Sequence, residues 1–97
     1  MEEQIKRIRK VVDMAIDQYR DQCGREFQRN AEWERDHIIN IGTSVLCTKW
    51  NVGYPGGSFV QAIVDNDLQG AFGRADSINQ DCIKFYVMLV HNTPYIK

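Results

Sequence analysis

INQDCIKFYVMLV, residues 78–90, is the stretch on which the fold class turns. Its Ile78, Cys82, Phe85, Tyr86 and Leu89 recur at spacings of three and four, the period of one helical face. The run from Ile83 onward is also rich in β-branched and aromatic residues, which suit a buried strand. A strand needs a neighbour, and the chain offers no second candidate. Alone, it would leave its backbone N–H and C=O groups without partners. The stretch therefore reads as a central, mostly buried helix ended by Asn92-Thr93-Pro94. The expected fold is all-α: a compact bundle of four to five helices, one domain over residues 1–97, with a long N-terminal amphipathic helix.

Upstream lies the segment YPGGSFVQAIVDNDLQGAFGRADSIN, residues 54–79, which packs turns and helix starts closely together. Tyr54-Pro55-Gly56-Gly57 is a turn, with proline presetting one dihedral and glycine permitting a positive one. Ser58 followed by Gln61 has the capping-box spacing, so a helix is expected to start at Ser58 and carry Phe59, Ala62 and Ile63 inward. Asn66 with Gln69 repeats that spacing and predicts a second start, after a corner at Asp65-Asn66-Asp67, with a helix from Asp67 to about Ser77. Gly70 and Gly73 lower helix propensity there, and close approach of another backbone or of a ligand is the usual reason to keep them.

Farther out, Ile5, Ile8, Val12, Ala15 and Tyr19 form an apolar stripe at helical spacing, which also fits a coiled-coil seam. That helix either packs within its own bundle or pairs with a second copy. Gly24 is read as its stop and Asn30 as the next N-cap. The second helix carries Trp33, His37, Ile41, Val45 and Leu46 on one face and runs as far as Asn51. Gly42 marks a point of kinking, and Lys49, Gly53 and Pro55 mark the end.

Composition removes several function classes. A chain of 97 residues should bury about two-thirds of its unfolded surface, enough for a core without disulfide or metal staples. Its net charge of −1 argues against a nucleic-acid binder, which needs cations to neutralise phosphates. Of the 25 charged residues, 17 lie within residues 1–36 and read as solvated helical faces. Cys23, Cys47 and Cys82 make no C-x-x-C pair and read as small buried hydrophobes of a reducing compartment. The charged N-terminus predicts no signal peptide, no apolar run approaches membrane-spanning length, and a cytoplasmic location is expected. His37 and His91 are the only histidines, neither within a turn of a cysteine or of each other, so no metal site, cofactor or catalytic set is expected.

What remains is a polar set in an otherwise apolar half: Asn66, Asp67, Arg74, Asp76 and Asn79. Asp67 and Arg74, seven residues apart, fall on one helical face, where Arg74 can offer its planar fork to a phosphate or carboxylate. Gly56, Gly57 and Ser58 lead into a helix whose first N–H groups lack intrahelical partners. Each feature also has a purely structural reading, in which Ser58 and Asn66 cap helices, Arg74 pairs with an acid and Asn79 caps the last helix.

At these residues the chain resembles a family of small, mostly uncharacterised proteins of phage and prophage genomes. The matching elements are Pro55-Gly56-Gly57 with Phe59, Asn66-Asp67-Leu68, and Ala75-Asp76-Ser77-Ile78-Asn79 ahead of an apolar helix ending in Asn92. Here Ser58 stands between the glycines and Phe59. The resemblance covers Ile38 to Pro94 and leaves out the charged first helix. It implies an all-helical fold and a phage-related origin, and by analogy a role against host defences. Two expectations follow. The first is non-catalytic binding of a small anionic, nucleotide-type ligand in the host cytoplasm, at Tyr54, Gly56, Gly57, Ser58, Phe59, Asn66, Asp67, Arg74, Asp76 and Asn79, with Tyr54 or Phe59 stacking on a base. The second is a protein-interaction module that docks a host defence protein. In either, a homo-oligomer is expected, with no membrane and no sequence-specific nucleic acid as partner.

Overall fold

The decisive stretch is helical. In a computed structural model that describes residues 1–97, the chain forms seven α-helices and no strand: α1 (Glu2–Tyr19), α2 (Arg25–Trp33), α3 (Arg35–Lys49), α4 (Ser58–Val64), α5 (Leu68–Arg74), α6 (Ser77–Asp81) and α7 (Ile83–Asn92). A 3₁₀ turn at Arg20–Gln22 links α1 to α2. No helix is long and apolar enough to cross a membrane.

Helix α7 lies at the centre, with Ile83, Phe85, Tyr86 and Leu89 buried. Phe85 stacks against Phe27 of α2 at 4.8 Å between ring centroids and meets Tyr19 of α1 edge-on at 6.4 Å. Tyr86 meets Phe59 of α4 edge-on at 5.9 Å. Such offset and edge-to-face pairs add stabilisation beyond the area they bury. The α1 stripe is consumed inside the molecule, where Ile8, Val12 and Ile16 are fully buried. Helix α3 passes through Gly42 without a break. A Cβ there would lie 2.7 Å from Val12 Cγ1 and 3.1 Å from Leu89 Cδ1, so this glycine lets three helices approach rather than kinking one.

The count of four to five helices is corrected to seven, because two expected helices are each divided. The expected Asn30–Asn51 helix breaks at Glu34, whose backbone (φ −131, ψ 34) leaves the helical region. Asn30 is therefore no N-cap. It sits buried inside α2, and its side chain donates to the Glu26 carbonyl and to Asp81 Oδ2, each at 2.9 Å. Trp33, expected on the core face, falls beside the break and is 75% exposed. The Ile78–Val90 helix likewise divides at Cys82. Gly24 (φ +91) is the N-cap residue of α2, after α1 has already ended at Tyr19.

The ends of α3 and α4 share one device. Asn51 (φ 57) and Asn66 (φ 61) adopt the left-handed conformation just past each helix. Val52 N–H then donates to the Cys47 carbonyl and Asp67 N–H to the Ala62 carbonyl, both at 2.8 Å. These are Schellman closures, which satisfy carbonyls that helix ends leave open. Asparagine serves at both sites because its short polar side chain tolerates positive φ. Asn51 rather than Gly53 thus terminates α3, and Asn66 terminates α4 rather than starting α5.

Candidate functional site

The turn between α4 and α5 is sharp because the same few residues end one helix and begin the next. Asp67, directly after Asn66, is the N-cap of α5, and its Oδ1 accepts from Gly70 N–H at 2.9 Å. Helix α5 folds back on α4, so Arg74 in its last turn returns over the corner. A polar cavity of about 190 Å³ opens there, lined by Ser58, Gln61, Ala62, Asp65, Asp67 and Arg74.

Gly70 makes this geometry available. A Cβ at Gly70 would collide with Asp67 Oδ2 and Arg74 Nη1, so only glycine allows both side chains to lie across the helix at that point. Arg74 Nη1 stands 3.8 Å from Asp67 Oδ2, with the two side chains about half exposed. That distance exceeds a hydrogen bond, and an exposed pair of this kind is worth roughly 0.2–1 kcal/mol. Arg74 can therefore exchange Asp67 for another anion at little cost. The lining carries two carboxylates and one guanidinium, so it offers acceptors as well as a cation.

Of the ten expected binding residues, Ser58, Asp67 and Arg74 line this cavity. Ser58 does not cap its helix: Gly57 holds the N-cap position without a side-chain bond, and Gln61 donates from Nε2 to the Gly56 carbonyl at 2.7 Å. The Ser58 hydroxyl is thereby left to the cavity. Gly56 packs against α3, where its N–H donates to Thr48 Oγ1 at 2.8 Å and a Cβ would lie 2.5 Å from Ser44 Oγ. Tyr54 is 94% exposed and lies outside the lining, as does Gly57. Phe59 is buried against Tyr86, so its ring stacks on a core residue and offers no face to a base. Asn66 lies outside the lining, and its left-handed backbone ends α4.

Asp76 and Asn79 belong to a second cluster. Asp76 is the N-cap of α6, its Oδ1 accepting from Asn79 N–H at 2.7 Å. Asn79 is buried instead of capping the last helix. Its Oδ1 lies 2.9 Å from His37 Nε2 and accepts from the Tyr86 hydroxyl at 3.4 Å, while His37 Nε2 is 4.0 Å from Asp76 Oδ2. This set ties α3, α6 and α7 together. It is an internal network, and burial raises the Tyr86 phenol well above its ordinary value.

Gln61 and Asp65 are the polar lining residues not anticipated from sequence. Gln61 had a ready explanation as half of a capping box and Asp65 as part of a corner. Their only signal was adjacency to the Ser58 start and to the Asp67 cap. Burial pushes the Cys82 thiol up to about 12 and also raises Cys47 and Cys23, so none of the cysteines is a ready thiolate. No group of three or more metal-ligating side chains forms. No protein-family model, no curated protein and no solved structure matches the chain.

Proposed function

We propose that the chain is a non-catalytic phage-type protein that binds a small anionic ligand, a nucleotide-type immune signal of the host, and so sequesters it in the host cytoplasm. The observation that carries this reading is the cavity between α4 and α5, where one weakly held arginine faces two carboxylates and a free hydroxyl. Arg74 suits a phosphate, which its planar fork grips with two parallel bonds. Asp65 and Asp67 suit the hydroxyls of a ribose or the exocyclic amine of a base, which only donate usefully to an acceptor. Inorganic phosphate at neutral pH carries its few O–H donors on the charged group itself, so it would meet the two carboxylates as like charges. A nucleotide carries both chemistries in one molecule.

The size is a further guide. Pockets for whole drug-sized ligands run from roughly 300 to 1,000 Å³. A cavity of about 190 Å³ takes one portion of a nucleotide and leaves the remainder at the surface, near Gly57 and Ser58. The absence of a ready thiolate and the engagement of His37 with Asn79 support a binding role over a catalytic one.

Calorimetric titration with a panel of cyclic nucleotides and ADP-ribose derivatives tests the proposal. Heat of binding to at least one is expected, and Arg74→Ala should abolish it while moving the melting temperature by no more than a few degrees. Silence across the panel, with folded protein, defeats the reading. A second reading, docking of a host defence protein, draws on Trp33, because an exposed tryptophan is the residue type that most often anchors an interface. Capture of one defined host protein by the native chain, lost in Trp33→Ala, would support it.

A further inference from the structure

We infer that the groove between α5 and α7 is a self-docking face that joins two copies of this chain about a two-fold axis. Helix α5 packs on α4, and α4 on α7, which leaves the space between α5 and α7 open. That groove has a volume of about 510 Å³ and is lined mainly by apolar side chains, Leu68, Phe72, Ile83, Val87 and Met88. Leu68 and Phe72, one turn apart on α5, are 48% and 50% exposed, and unlike the separately exposed Met14 and Trp33 they stand together beside an apolar groove. An exposed apolar ridge beside an apolar groove marks a contact surface.

The arrangement favours a second copy as the occupant. A two-fold contact places one patch against itself, so the patch must carry both halves of every complementary feature. This one does. The ridge of Leu68 and Phe72 stands beside a groove able to receive such a ridge. The rim carries one acid, Asp81, and one base, Lys84, on the polar side of α6 and α7. Lys84 is exposed and makes no ion pair within the chain. Rotation by two-fold symmetry sets Lys84 of each copy against Asp81 of the other, giving two reciprocal pairs. A partner protein of unrelated sequence would need neither the ridge nor opposite charges on one rim.

Two half-exposed side chains contribute only a fraction of the roughly 800 Å² per partner found in standard interfaces, so the association should be reversible and concentration-dependent. It would also run along α5, the helix that carries Asp67 and Arg74, bringing the two cavities to neighbouring positions. The inference stands without the proposed ligand, since its readout is mass.

Sedimentation equilibrium of the intact chain, up to about 1 mM, should show mass rising to twice that of one chain, with Phe72→Ser weakening association at least about tenfold at unchanged helicity. Lys84→Asp and Asp81→Lys should each be monomeric alone, because each places like charges together at both pairs. Mixed in equal amounts they should associate again, since the mixed dimer restores an opposite-charge pair at both positions. Wild-type chain that stays monomeric throughout, a dimer indifferent to Phe72→Ser, or folded charge variants whose mixture does not associate would each overturn the inference. Asp81 also bonds Asn30, so if Asp81→Lys does not fold, Phe72→Ser and Leu68→Gln decide by the same mass criterion. A monomer that instead binds an amphipathic helical peptide in this groove also overturns it.

Discussion

Replacing Gly70 and Gly73 by alanine, one at a time, separates what a glycine costs a helix from what this one makes possible. Both lie in α5, and alanine in place of glycine inside a helix is worth about 1 kcal/mol in propensity. At Gly73 a Cβ meets nothing within 4 Å, so Gly73→Ala should realise most of that gain. At Gly70 the new Cβ collides with the Asp67 carboxylate and the Arg74 guanidinium. Both are ends of flexible side chains and can swing aside. Asp67 would then lose its 2.9 Å bond to the residue 70 N–H, a cap worth about 1 kcal/mol. Its exposed pairing with Arg74, worth a few tenths, would go as well. The gain and the losses nearly cancel, so Gly70→Ala should leave stability within about 1 kcal/mol of wild type. For a domain of this size, 1 kcal/mol is roughly 4–8 °C in Tm. Gly73→Ala should therefore melt several degrees above Gly70→Ala by calorimetry. In titration with whichever nucleotide binds the wild type, Gly70→Ala should lose at least about tenfold in affinity, close to 1.4 kcal/mol, while Gly73→Ala should not. Equal stabilisation by both substitutions, or full binding by Gly70→Ala, would refute the idea that this glycine holds the cavity open.

Asn79→Ala removes the acceptor shared by His37 and Tyr86 in a buried setting, and chemical denaturation should show a loss of about 1–3 kcal/mol. Gly42→Ala drives a methyl into Val12 and Leu89, and the overpacking should cost about 1–3 kcal/mol despite the better helix propensity. Stability should fall with alkaline pH: the Cys82 thiol ionises near 9.0 when unfolded but only near 12 when folded. The unfolded state thus binds fewer protons across that window, and stability present below about pH 9 is lost as pH rises through it. The Cys82 share of the loss is on the order of 2 kcal/mol by about pH 10.5, and urea midpoints at pH 7.5 and 10.5 should differ less in Cys82→Ala, the raised Tyr86, Cys47 and Cys23 groups supplying what remains.

Much of the scaffold was legible in residue spacing. The period of Ile8, Val12, Ala15 and Ile16 reports one buried face, and so does that of Cys82, Phe85, Tyr86 and Leu89, because a helix repeats its direction every three to four residues whatever packs against it. The division into seven helices was less legible. Asn30 looks like a cap by type, yet its amide reaches Asp81, fifty-one residues away, and nothing local announces that partner. Asn66 shows the same ambiguity, since asparagine suits both a helix start and a left-handed helix end.

At the candidate site, Arg74 and Asp67 could be placed on one face by counting, and they do meet. Gln61 and Asp65 could not, because their approach depends on α5 folding back over α4. Phe59 carried two expectations, inward on its helix and stacking on a base, because an aromatic after a turn can face a ligand or the core; the Tyr86 ring against it decides for the core.

By itself, then, the sequence determined the helical class, the burial of α7 and the faces of its longer helices, all consequences of periodicity and of the need to pair every backbone group. Only the tertiary structure decided which polar residues share a cavity and which are tied into a network. Those assignments rest on contacts between residues distant along the chain, and no local pattern encodes them. The same holds for Leu68 and Phe72: their helical spacing says they share a face, and only the open space beside α7 shows that the face has no cover.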